Sequence, residues 1–384
     1  MVEEIWYEYE GNRFCLEMAG GRYSGGVSYT VRGIIMGNSC LRLPESYQGN
    51  PVTRWHMREK TPLSMAGFLF IPASVTEIFL ENRLLPQLEH LEVQAGNPRF
   101  ATDGLMLFSA DGRELLYSLG AGRQERAVVP RGVRKIRHEA FQYTVCSEIL
   151  FENPDVSVEE NAFDHSLWRE RQGDFSLVGN LFFRLNRPVE RLRVPDGVRR
   201  FHESAFSEAV PEYLDTPVLP SRGSMEDLGG KRYRQCRELT IRSRQAKIDS
   251  GALRLARGLE AVHIAEGHKT CRSADGVIYS RDGRTLEYYP VGKMEAVFEI
   301  PEGVVKIARS AFAGQRYLEE VLMPDSVTTV GMGAFSRCGR LRKVVFSENI
   351  REIPDASAYQ NGGVFEGCGC LEEAALPGSL EYLG

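Results

Sequence analysis

Apolar positions in this chain follow a pattern longer than any helix or strand period. Near the C-terminus, Leu318-Glu-Glu-Val-Leu-Met-Pro324 alternates apolar and polar positions before a proline, and Leu341-Arg-Lys-Val-Val-Phe346 repeats the pattern 23 residues later. A further copy, Leu371-Glu-Glu-Ala-Ala-Leu-Pro377, follows after 30 because residues around Asp355 to Gly362 are inserted. The alternation predicts a short strand with one face turned inward and the other toward solvent. Proline then ends the pairing, since it has no N–H to give to a neighbouring ladder.

A second regularity lies downstream of each proline. An aliphatic or aromatic residue stands five positions before the end of an Ala-Phe or Ala-Leu pair: Ile136 and Phe141, Val158 and Phe163, Phe201 and Phe206, Ile248 and Leu253, Ile307 and Phe312, Val330 and Phe335. This predicts a second extended piece leading into a tight turn or short helix. The small Ala permits close backbone approach while Phe fills the interior. A 23-residue unit cannot bury such a face alone, so successive units must stack.

Taken together, Leu-x-x-Val-x-Ile-Pro-x-x-Val-x-x-Ile-x-x-x-Ala-Phe-x-x-Cys resembles the BspA-like class of leucine-rich repeats, from about Cys40 to Gly384. The resemblance implies a leucine-rich-repeat right-handed solenoid, β-rich, with a parallel sheet on one side and short helices or turns on the other. The units entered by Leu41 and Ile71 have the strand and proline without a clean Ala-Phe, and residues 207–235 are degenerate. Residues 1–39, with Trp6, Tyr7, Tyr9 and Phe14 among polar neighbours, predict a β-rich N-terminal cap over the first strand edge. Residues 40–384 are expected to form the solenoid and to stop mid-repeat, which leaves either an open last strand or a natural protein that continues.

Three insertions interrupt the period, near 98–119, 174–189 and 268–290. Gln94 to Pro130 and Ala265 to Pro301 both span 36 residues, and Asp111-Gly112 and Asp282-Gly283 fall at the same offset of 17 within them. Each reads as a β-hairpin, with Val277–Tyr279 and Thr285–Tyr288 as arms and Asp282-Gly283 supplying the positive-φ turn. A calcium loop would instead want oxygen ligands at alternating positions and a terminal acidic residue, which neither Asp275 nor Asp282 provides. The third segment, Phe175 to Arg184, is a looser relative.

Composition narrows the function classes. Apolar residues at 42% and charged residues at 26% exclude wholesale disorder, and a net charge of −5 over 384 residues gives no global field favouring nucleic acid or anionic membrane. The most apolar run, Phe68–Ile71, is far too short for a bilayer span. The N-terminus lacks a basic start and apolar core, so the chain as written stays inside the cell, whereas the resembled family is often secreted or surface-attached. Eight cysteines without Cys-x-x-Cys read as reduced structural thiols. Cys338 and Cys368 each lie three residues after the repeat's phenylalanine, and Cys370 adds a Cys-x-Cys without the further ligands zinc needs. The seven histidines are scattered, with no His-Glu-x-x-His, and no Gly-x-Ser-x-Gly occurs. No cofactor or metal is expected, and a hydrolase is only a remote alternative.

Two surfaces remain as candidates. The run 231–247 gathers Lys231, Arg232, Arg234, Arg237, Arg242, Arg244 and Lys247 against the single carboxylate of Glu238. It could engage phosphate or an acidic protein, or merely mark the solvated edges of a strand around Leu239 and Ile241. The second is the outward ladder of the sheet, expected as a continuous surface through Glu92, Leu150, Arg193, Thr240, His263, Glu299, Leu322 and Val345, more apolar toward the C-terminal end. These features predict a noncatalytic protein-binding or scaffold protein, with an adhesion role implied by the resemblance. The expected partner is another protein, host or bacterial, or a glycan, with no nucleic acid. The alternative is a structural module that self-associates end to end through its last repeat edge.

Overall fold

The computed structural model describes residues 5–19, 26–57, 62–119, 125–229, 235–354 and 363–383. Its internal contacts divide the chain into two units, 1–173 and 174–384. Both are built as stretches of β-solenoid, mostly sheet with three short helices among the described residues.

The repeat is clearest in the second unit. Strands Val297–Glu299, Glu320–Leu322, Lys343–Val345 and Glu373–Ala375 pair in parallel, so that Glu299, Leu322, Val345 and Ala375 form one rung. Those steps of 23, 23 and 30 are the steps of the sequence repeat. Val321 and Val344 point inward and are fully buried. After the first two of these strands a proline carbonyl accepts a hydrogen bond from the N–H three residues on, Val304 to Pro301 at 3.3 Å and Val327 to Pro324 at 3.0 Å, and after the third Ser347 takes the same place, accepting from Ile350 at 3.3 Å. This turn buries the valine and redirects the chain into a two-residue second strand. Lys306–Ile307 and Thr329–Val330 are such strands, again parallel.

The phenylalanines that follow stack from turn to turn. Tyr289, Phe312, Phe335 and Phe365 form a column with ring centroids 5.0, 4.9 and 5.6 Å apart. Such contacts add to the large apolar area each ring removes from water. Backbone bonds tie the same turns together: Phe312 N–H donates to Ala334 O at 2.8 Å and Phe335 N–H to Val364 O at 3.0 Å. The position three residues past the phenylalanine also bonds across turns, since the Cys338 thiol donates to Phe312 O at 3.1 Å and the Cys368 thiol to Phe335 O at 2.9 Å. Residues 207–235, degenerate in sequence, hold the strand Tyr213–Thr216, 22 residues after Arg191–Arg193 and 25 before Glu238–Ile241. The helix Arg222–Leu228, capped by Ser221, buries Met225 and Leu228 where other repeats place Ala-Phe.

In the first unit, Ile5–Tyr9, Asn12–Ala19 and Ser28–Ile35 form an antiparallel sheet, and Ser28–Ile35 then pairs in parallel with Asn50–Trp55. Sheet hydrogen bonding therefore runs from the first strands into Asn50–Trp55 and on to Glu77–Ile78. Cys40–Arg42, Phe68–Ile71 and His90–Val93 make one parallel sheet, and Arg126–Val129 pairs with Glu148–Phe151 in another.

The insertions explain why those sheets are separate. Each 36-residue interval holds a three-stranded antiparallel meander rather than two arms: Phe100–Thr102, Met106–Ser109 and Glu114–Ser118, and likewise Cys271–Ala274, Val277–Ser280 and Thr285–Tyr288. The last strand of each joins the second-strand ladder, Leu115 beside Ile136 and Leu286 beside Ile307. The first turn of each blocks the first-strand sheet, because Leu91 N–H donates to Gly104 O and Val262 N–H to Gly276 O, both at 2.9 Å. Glycine is required there. Gly276 has φ +79°, and a Cβ on it would sit 2.6 Å from the Ala261 Cβ. At the second turn, Asp111 and Asp282 accept from Ser109 and Ser280 hydroxyls, both at 2.6 Å, and from backbone N–H groups two residues on. Those bonds, the serine's foremost, hold both carboxyl pKa values below the ordinary range. A third insertion, Phe175–Val178 with Leu181–Leu185, is a two-stranded hairpin that feeds Arg200–Phe201.

Candidate binding surfaces

The outward ladder is placed in register but is not continuous. It falls into rungs within separate sheets: Arg42, Phe70 and Glu92; Val128 and Leu150; Arg193, Asp215, Thr240 and His263; and Glu299, Leu322, Val345 and Ala375. The expectation of one unbroken surface is thus corrected, since a meander occupies the place of the next strand between Glu92 and Val128 and between His263 and Glu299. Asp215 was missed by sequence reading because its unit lacks an Ala-Phe anchor to set the register.

The rungs differ in chemistry. Val128 and Leu150 face outward side by side, 40% and 41% exposed. Arg193 reaches Asp215 at 3.2 Å, and Arg191 lies over the Tyr213 ring at 4.0 Å. In the C-terminal sheet, Lys343 sits between Glu320 and Glu373 at 3.6 and 3.8 Å, making a charged rung. Beside it runs the half-exposed apolar rung of Leu322 and Val345, bounded by Glu299. A narrow apolar strip with a charged border results.

The basic run 231–247 is largely neutralised where it is described. Lys231, Arg232 and Arg234 lie outside the described residues. Arg237 binds Glu260 through both carboxylate oxygens at 2.8 Å and Glu212 at 3.1 Å. Arg242 binds Asp215 at 2.5 Å and Asp196 at 2.6 Å, and donates to Val194 O at 2.6 Å. The Arg237 pKa is raised by Glu260 first and then Glu212, and that of Arg242 rises because Asp215 and Asp196 outweigh its burial. Only Arg244 and Lys247 of the described cations stand exposed without an ion pair among the described residues. The partners come from solenoid turns one and two away, so a window along the sequence could not show them.

His268 and Cys271 are held within the turns by their hydrogen bonds. His268 is buried, with Nε2 at 2.8 Å from Ala246 O and Nδ1 at 3.2 Å from the Cys271 thiol. It occupies the same offset after its strand as Asn97, whose amide ties the Pro72 and Val75 carbonyls to its own turn. Burial raises the Cys271 pKa, so the sulfur is a thiol and a poor nucleophile. Among the described residues no group of three or more His, Cys, Asp or Glu is placed to hold a metal. No described helix is long and apolar enough to cross a membrane.

Comparison with known proteins adds the following. A family model described as BspA type Leucine rich repeat region matches in six copies over residues 123–240 and 291–384. No curated protein matches. Among solved structures, the chain is similar to a leucine rich cell surface protein from Faecalibacterium prausnitzii A2-165, with 21% identity, 96% of this chain and 81% of that chain covered, and a TM-score of 0.33. It is also similar to the pneumococcal vaccine antigen PcpA, at 13% identity, 99% and 88% coverage and a TM-score of 0.30. A leucine-rich repeat protein from Eubacterium ventriosum gives 14% identity, 98% and 85% coverage and a TM-score of 0.30.

Proposed function

Because the chain belongs to the BspA-type leucine-rich repeat family, we propose that it is a noncatalytic scaffold that binds another protein through the outward face of its parallel strands. The observation that carries this reading is the C-terminal sheet, where the Leu322–Val345 strip lies beside the Glu320–Lys343–Glu373 rung. An apolar centre bordered by charge is the anatomy of a protein interface. Strands held by the stacked ring column keep their outward side chains in place before a partner arrives, which lowers the ordering cost of association. The partner we favour is a protein of host or bacterial origin, and the binding amounts to adhesion where the chain is displayed on a cell surface.

The test replaces only outward residues. Immobilised chain is exposed to host matrix proteins and to bacterial lysate, and captured proteins are identified by mass spectrometry for wild type and for the double variant Leu322→Asp, Val345→Asp. Selective loss of a captured protein with an unchanged melting transition supports the reading. Equal capture by both forms contradicts it.

A further inference from the structure

Among the described residues of the second unit, exposed arginines without an ion pair gather on its turns. A groove of about 990 Å³ is lined by Arg254, Arg257, Arg309, Arg316, Arg337 and Arg340, with Glu366 as the one carboxylate among the described residues of its lining. Three successive Ala-Leu or Ala-Phe turns supply two arginines each. The windows 250–258, 309–317 and 332–340, set identically around Leu253, Phe312 and Phe335, each hold a pair, whereas the matching windows 138–146, 160–168 and 203–211 hold no arginine. The cations are therefore a property of these turns and not of the repeat.

Their setting is fixed by the backbone. Ser310 N–H donates to Met332 O at 3.1 Å and Gly314 N–H to Ser336 O at 2.8 Å, so the floor of the groove is a hydrogen-bonded stack of turns. Arg254 is half-buried and donates to Ser310 O at 3.2 Å. Burial holds its pKa below the ordinary value, with Arg222 and Arg309 adding to the shift and Tyr288 and Asp249 opposing it. Among the described residues, Arg257, Arg316, Arg337 and Arg340 are exposed and make no ion pair. Like charges held together on a rigid floor repel one another, and a ligand that brings several negative groups relieves that repulsion at every contact.

We propose that this groove binds a compact polyanion carrying several phosphate or sulfate groups. The planar guanidinium fork matches the oxygens of such groups in pairs, and arginines from three turns can engage several groups at once. No aromatic ring lines the groove, so single-stranded nucleic acid would find no surface on which its bases stack. Apolar lining is confined to Val291, Ala313 and Met332, too little for the apolar centre of a protein interface. The site is separate from the strand face proposed above and does not depend on it.

Calorimetric titration of the full chain tests this with three probes at low and physiological ionic strength: inositol hexakisphosphate, a sulfated hexasaccharide and a glutamate decapeptide. Binding of the phosphate or the sulfate probe, weakened by salt, is expected, and the tighter of the two names the source. Arg316→Glu with Arg337→Glu should weaken it at least about tenfold, because two charge-assisted contacts are removed. Arg244→Glu with Lys247→Glu, also on the surface, should leave it within about twofold. A third variant, Arg316→Lys with Arg337→Lys, keeps the charge and removes the fork, and an intermediate loss is expected. The proposal is overturned if neither probe binds at low salt, if the decapeptide binds tighter than both, or if the control pair weakens binding as much as the groove pair.

Discussion

The strand edges around Arg237 and Arg242 and the turns around Arg316 and Arg337 are both rich in arginine, yet they are opposite electrostatic environments. On the strand edges, Arg237 faces Glu260 and Arg242 faces Asp215, each carboxylate coming from a neighbouring turn. On the turns, Arg257, Arg316, Arg337 and Arg340 are exposed and make no ion pair among the described residues. The sequence run 231–247 has the denser positive charge, but the groove has the less compensated charge. In a solenoid the neighbour that decides a side chain's environment stands about one repeat away, so charge density along the chain is a poor guide to the field in space.

Two variants sharpen that contrast. The largest effect is expected from Arg242→Ala, since this side chain is mostly sheltered and serves Asp196, Asp215 and the Val194 carbonyl together. Leaving those acceptors without their donor should destabilise the second unit by about 1–3 kcal/mol, read from denaturant unfolding. The effect should also depend on pH. The Arg242 hydrogen bond holds the Asp196 pKa below 3.8, so its contribution is complete above that value and is lost as pH falls through the lowered pKa of the folded state. Wild type and Arg242→Ala should therefore converge in stability toward strong acid and separate at neutral pH. The smallest effect is expected from Arg316→Ala with Arg340→Ala, which should change stability by no more than about 0.5 kcal/mol.

How much of this was legible beforehand follows from which interactions are local. The steps of 23 and 30 between Leu318, Leu341 and Leu371 are the registers of the parallel sheet, because stacking forces sequence period and hydrogen-bond register to agree. The positive-φ turn at Asp282-Gly283 was legible for the same reason, since turn conformation is set by adjacent residues. The first strand of each meander was not, because Cys271-Arg-Ser-Ala274 carries little apolar alternation and is held by its partner Val277–Ser280. The break in the strand face was equally hidden, depending on Gly104 and Gly276 carbonyls reaching a strand of the preceding turn. As for the candidate surfaces, outward position could be read from alternation, but ion pairing could not. The groove had a readable signal in the two arginines that each of its turns carries within a matching window, and finding it requires comparing turns with turns rather than counting charge along a run.

The contrast between paired and unpaired arginines is tested most directly by residue-resolved modification with phenylglyoxal, followed by peptide mass spectrometry of the intact chain. The deprotonated guanidine attacks the reagent's carbonyl carbons, so carboxylate partners that raise a pKa slow the reaction. Arg257, Arg316, Arg337 and Arg340 are predicted to be modified severalfold faster than Arg237 and Arg242. Equal rates in the two sets, or faster modification of Arg237 and Arg242, would contradict the account.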